Sequence, residues 1–307
     1  MRIARLLSVT VMLIALVAMP CLAQTVTQQV GTAGSIDWSN QILRSTGVGS
    51  PNPNMPETAQ RAGALEAAKR VALRNLLETV KGMSLDSETT VRNFMVENDV
   101  IVTRVSGILR DFTVVDTKYM STGDIEVTIE MPISGALADA LLPRPLGVTL
   151  GPVTPAPAQA VCPTCGQPWP AGRPLPSGVT TPAHTVTPAP QGSSGVYTGL
   201  IIDAKGLGLR PAMSPKIIDE SGEEIYGSKY VSREWAVQIG MVGYDKDVNH
   251  ARSNERVTDN PLVVKAVKVS GENKADVVVA AASAATIRSA AASQNFLDHC
   301  KVMFIVD

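Results

Sequence analysis

The chain has 307 residues, 45% of them hydrophobic, with 27 Lys and Arg against 28 Asp and Glu. That length allows one to three domains with real cores, and the balanced charge predicts no affinity for nucleic acid or an anionic membrane. Four cysteines and three histidines leave little material for metal or nucleophilic chemistry.

The N-terminus speaks to compartment. Arg2 and Arg5 precede an almost wholly apolar run over residues 6–19, and Cys21-Leu-Ala23 ends in a small residue before Gln24. This is the pattern of a secretory signal peptide over residues 1–23, because about 14 apolar residues are too few to cross a hydrocarbon layer about 30 Å thick. A lipoprotein signal is the rival reading, with Cys21 as the lipidated residue; Pro20 directly before it departs from the small residue such signals require. Cleavage removes two of the 27 basic groups and none of the 28 acidic ones, so the exported chain is mildly acidic. The expected location is the periplasm, the outer membrane or the cell exterior.

Thirteen of the 21 prolines lie between Pro143 and Pro190. Proline removes backbone donors and this stretch has few core-forming side chains, so residues 143–194 are expected to be an extended linker of polyproline character. It divides the chain into two folded parts.

In the first part, residues 34–142, Ile36, Trp38 and Ile42 fall on one face of a strand expected over residues 35–42. After a Gly/Pro/Asn-rich loop, residues 57–81 carry Leu65, Val71, Ala72, Leu76 and Val80 as an apolar stripe, with Pro56 suited to the entry and Gly82 to the exit of a helix. Val91, Phe94, Met95, Ile101, Val105 and Ile108 fit a second helix, with strand as the alternative around residues 100–102. Residues 111–119 and 125–131 flank Ser121-Thr-Gly-Asp124 as a hairpin, and a short helix over residues 137–142 closes the unit.

In the second part, residues 195–307, strands are expected at 197–203, 263–269 and 276–280, with a hairpin of 216–219 and 224–226. An alanine-rich helix over 284–300 leads to a last strand at 302–306, making residues 276–306 a strand-helix-strand unit. The fold class is α+β: two small α+β domains, helices packed on antiparallel or mixed sheets, joined by the proline-rich linker.

No His-x-x-x-His pair, Gly-x-Ser-x-Gly elbow or phosphate-binding Gly-x-x-x-x-Gly-Lys-Ser/Thr loop occurs, and His184, His250 and His299 read as incidental or structural. Gly206-Leu-Gly208 has the beginning of a nucleotide-binding turn but lacks the third glycine and runs into Arg210-Pro211, so a plain turn is the better reading. Asp245-Lys-Asp-Val-Asn249 has the spacing of a calcium loop, yet His250 and Arg256 stand where glycine and glutamate are needed; a solvated loop fits better.

Cys162-Pro-Thr-Cys165 has the shape of a zinc knuckle, but tetrahedral zinc needs four ligands and one pair supplies two. An oxidising compartment favours a local disulfide. Zinc shared between the Cys162 and Cys165 pairs of two chains is the rival reading, and no other cofactor is expected.

A strand with Trp38, a helix containing Ala67-Ala-Lys-Arg-Val-Ala-Leu-Arg-Asn-Leu-Leu77, a second helix ending Val105-Ser-Gly-Ile108, then Tyr119 and Gly123-Asp-Ile-Glu-Val-Thr-Ile129 follow in order. This succession resembles the twenty-kilodalton-type bacterial outer-membrane lipoprotein family and the N-terminal domain of the flagellar H-ring assembly protein. The second part looks like the partner domain beside it in larger members. The resemblance implies a non-enzymatic envelope component, with members that assemble into rings or disks around the flagellar motor, and it carries over no catalytic residues. The poor lipidation signal at Cys21 departs from the lipoprotein pattern. The expected partners are envelope proteins or further copies of the chain, with membrane association through partners or through Cys21. A receptor for a small ligand near residues 203–210, or for metal at the knuckle, is the reading from another class.

Overall fold

The computed structural model describes residues 25–142 and 197–307. The expected signal peptide with Cys21 and the proline-rich segment with Cys162, Cys165 and His184 lie outside the described residues. The protein is α+β, with two sheets.

The first sheet contains β1 (Thr27–Val30), β2 (Gly34–Asp37), β3 (Ile42–Gly49), β4 (Thr113–Tyr119) and β5 (Ile125–Pro132). Its order is β1-β2-β3-β5-β4, antiparallel throughout. Along β5, Ile125, Val127, Ile129 and Met131 are buried while Glu126, Thr128 and Glu130 are half-exposed, as the alternation predicts. The single strand expected over residues 35–42 is instead two strands. Asp37 accepts hydrogen bonds from the backbone and side chain of Asn40, and Gln41 adopts φ 55°, so the chain reverses before Ile42.

Helix α1 (Glu57–Lys81) covers this sheet, and its deepest line is Ala64, Ala68, Ala72 and Leu76, with Leu65 and Val71 only partly buried. The cause is close approach to β3. A Cβ on Gly47 would stand 2.2 Å from the backbone nitrogen of Ala72, and one on Gly49 2.2 Å from the carbonyl oxygen of Ala64. Ser45 uses the same closeness to donate to the Ala72 carbonyl at 2.8 Å. Helices α2 (Val91–Val96) and α3 (Asp99–Ile108) take the place of one continuous helix. Asn98 stops the first and caps the second, its side chain accepting from the Ile101 N–H. A 3-10 turn, Leu109–Asp111, leads into β4, and α4 (Ala136–Leu141) follows β5.

The second sheet contains β6 (Gly199–Asp203), β7 (Ile217–Asp219), β8 (Glu224–Tyr226), β9 (Gly243–Asp245), β10 (Pro261–Ser270), β11 (Asp276–Val279) and β12 (Val302–Ile305). Its order is β8-β7-β11-β10-β6-β12-β9. The run β10-β6-β12-β9 is parallel, as is the pair β11-β7; β10-β11 and β7-β8 are antiparallel. Every residue of β12 is buried, which explains why it reads as an unbroken apolar run. Helices α5 (Arg233–Ile239), α6 (Val248–Arg252) and α7 (Ala281–Ser293) complete the part. Helix α7 is shorter than the helix expected to reach Cys300, and Cys300 itself adopts φ 54°. The strands β11 and β12 flanking α7 are not neighbours, since β10 and β6 stand between them.

The two sheets belong to one compact unit with a continuous hydrophobic core, rather than standing apart. Backbone hydrogen bonds cross the seam: Met213 and Ser214 donate to Ser84 and Leu85, Asn273 donates to Ser87, and Gly135 donates to Val237. The ring of Trp38 meets that of Tyr244 edge to face.

Candidate functional site

Three places gather polar or exposed side chains, and geometry separates their roles. The first is the seam. Ser87 donates to Asp276 at 2.6 Å, and the Lys216 N–H donates to the same carboxylate at 2.8 Å. Asp276 is buried, and that burial pushes its carboxyl above the ordinary aspartate value despite these donors. On the other side of the seam, Arg233 and Arg104 both pair with Asp139, and Arg233 holds its carboxyl below the usual range.

A cleft of about 500 Å³ opens along the seam beside Asn40, Gln41, Trp235, Arg256, His299 and Lys301. Trp235 and His299 pack with ring centroids 5.1 Å apart. The guanidinium of Arg256 forms one wall, yet its N–H groups are already engaged by the carbonyls of Ile239, Gly240 and Cys300. Gln41 donates to that same Ile239 carbonyl at 2.7 Å. Arg256 thus ties the end of α5 to the turn at Cys300, both within the second part, and burial pulls its pKa down. Its geometry is that of a structural cation.

The second place is the carboxyl end of the parallel strands, where a ligand would be sought in an open α/β sheet. Gly206 and Gly208 both take positive φ, and their N–H groups point at one anion. That anion is the side chain of Asp307, at 2.7 and 3.3 Å. The turn therefore holds the protein's own carboxylate. The carboxylates of residues 245–249 are also committed locally. Asp245 accepts from the Lys246 and Asp247 N–H groups and contacts His250 at 2.5 Å, and Asp247 caps α6. His250 accordingly sits on a helix rather than in a loop. Cys300 is buried against Tyr226, and burial pushes its thiol up to about 11, which makes it a poor nucleophile. Among the described residues no three His, Cys, Asp or Glu gather in a metal-binding group. Cys162 and Cys165 lie outside the described residues.

The third place is the edge of the first sheet. Of the four edge strands, β1 has 4 residues and β8 and β9 have 3 each, whereas β4 has 7. Among the described residues its outer side has no strand partner, and Val114, Val115, Tyr119 and, just past its end, Met120 are 39%, 46%, 56% and 40% exposed. Arg61 stands over the Tyr119 ring at 4.2 Å. A register shift between Val114 and Asp116 adds one residue to the strand. Hydrophobic periodicity finds β4 but does not reveal that it is an edge, because edge position depends on the order of strands. Val96 and Val100, at 80% and 75%, form a second exposed apolar pair where α2 meets α3.

Residues 199–307 match the family model described as the second domain of Treponema pallidum Tp0624. The matched stretch begins with β6 and takes in the whole second sheet. No curated protein matches the chain.

Proposed function

We propose that this is an exported, non-enzymatic component of the cell envelope that works by protein contacts, in an assembly with envelope proteins or with its own copies. The observation that carries the reading is the β4 edge: a seven-residue strand with no neighbour on its outer side among the described residues, with Val114, Val115 and Tyr119 exposed along it and Met120 just beyond. Long apolar edges invite strand addition, and folded proteins that avoid partners shorten or cover them. The polar constellations support the same reading. Asp307 fills the glycine turn, three carbonyls engage Arg256, and Asp276 is spent on the seam. Export rests on the signal-peptide pattern of residues 1–23, and a place in a flagellar or other surface ring rests on the resemblance of the first part. Fractionation followed by crosslinking in cells tests it: the chain should be recovered from the envelope in discrete crosslinked species. Recovery from the cytoplasm, free of partners, would sink the reading.

A further inference from the structure

We infer that β4 pairs with β4 of a second copy, antiparallel, about a two-fold axis through Thr117. This rests on the reading of the protein as one that works by contacts, and it names the partner and the register. In an antiparallel pair, opposed residues must share a face, so a symmetric register centres on a residue. Thr117 pairs Val127 on the helix side, and Asp116 and Lys118 pair Thr128 and Glu126 on the outer side. A centre at Asp116 would set two aspartates against each other, and a centre at Lys118 two lysines. The centre at Thr117 sets Asp116 opposite Lys118 twice, and brings Val115 opposite Tyr119 twice. Opposite charges and aromatic–β-branched pairs are the cross-strand combinations that stabilise a sheet. Val115 alternates onto the same side as Thr117 and Tyr119, so the opposed Val115 and Tyr119 share a face. The result is a continuous ten-stranded sheet across two copies, formed from two five-stranded ones.

The test is charge exchange on the purified exported chain. Asp116→Lys presents lysines at both positions and Lys118→Asp presents aspartates at both, so each variant alone should lose self-association about tenfold. An equimolar mixture should recover it, because unlike charges then face each other in the mixed pair. Sedimentation velocity reads the outcome, with circular dichroism confirming the fold of each variant. A second measurement does not depend on these charges. Thr117→Cys in a Cys162→Ser, Cys165→Ser background should form a disulfide-linked dimer on mild oxidation, since Cα atoms across such an axis lie about 4.5–5.5 Å apart. Asp111→Cys in the same background should not. A wild-type chain that stays monomeric at several hundred micromolar, variants that associate as well as wild type, or equal crosslinking from positions 117 and 111 would each overturn the inference. An oligomer that survives the charge changes refutes this register and leaves the broader reading standing. A monomer that still crosslinks to other envelope proteins does the same.

Discussion

The indole of Trp38 meets the ring of Tyr244 edge to face, with centroids 5.7 Å apart and planes at 68°. Trp38 leaves β2 in the first sheet, Tyr244 lies in β9 of the second, and Tyr244 in turn packs edge to face on Phe304 of β12. The Tyr244 hydroxyl donates to the Ala212 carbonyl and accepts from the Ala212 N–H, so the ring is fixed from both ends. Through this stack, the two parts share one core.

The first prediction is therefore cooperative unfolding. Calorimetry should give a single transition with equal calorimetric and van't Hoff enthalpies. Trp38→Ala should lower stability by about 3–5 kcal/mol and still unfold both sheets together. Two resolved transitions, with only one moved by the substitution, would show that the seam is not a shared core.

Two glycines should respond in opposite directions. Gly47→Ala places a Cβ against the backbone of α1, where neither the Ala72 nitrogen nor the Ala68 carbonyl can move alone, and should cost about 1–3 kcal/mol. Gly107→Ala, in α3 with nothing within 4 Å of the new Cβ, should stabilise by up to about 1 kcal/mol. Urea melts of the two variants distinguish packing from backbone entropy.

Asp276 sets a pH dependence. Its folded carboxyl is raised by burial, so its contribution to stability is fully present below the unfolded value of about 4 and is lost as pH rises through the raised folded value. Asp276→Asn can keep the contacts with Ser87 and Lys216 without the buried charge. The variant should match or exceed wild type near pH 8, and lose that advantage towards pH 4. A constant difference across pH 4–8 would mean that the carboxylate is not the titrating group.

Arg256→Lys keeps the charge but cannot reach three converging carbonyls with one planar fork. It should destabilise by about 2–3 kcal/mol through the carbonyls of Gly240 and Cys300 left unsatisfied, while Gln41 still serves that of Ile239. A neutral effect in urea denaturation would return Arg256 to the cleft as a free cation.

What was legible in the sequence followed local periodicity. Residues 57–81 form one helix because amphipathic spacing, Pro56 and Gly82 all agree, and β5 shows its alternation because one face is covered and the other is not. Amphipathic spacing puts Leu65 and Val71 on the buried line of α1, whereas Gly47 and Gly49, which lie elsewhere in the chain, admit alanines closer than leucines. The Asp37–Asn40 turn hid inside a run that alternates like a strand. Helix α5, strand β9 and helix α6 are 7, 3 and 5 residues long, too short for a period to emerge. Gly206 and Gly208 mark a turn from their own sequence, but its occupant, Asp307, is about a hundred residues away and only the fold brings it there. Nothing local in residues 113–119 marks β4 as outermost, so periodicity does not single out its edge.

Photo-crosslinking in the native cell tests the proposed role most directly. A photoreactive residue at Val115 on β4 should give discrete adducts in the envelope fraction, to a second copy or another envelope protein, while one at exposed Glu272 in the β10–β11 turn gives few. Position 115 yielding no more adducts than position 272, with the chain otherwise folded and exported, would contradict a protein that works through this edge.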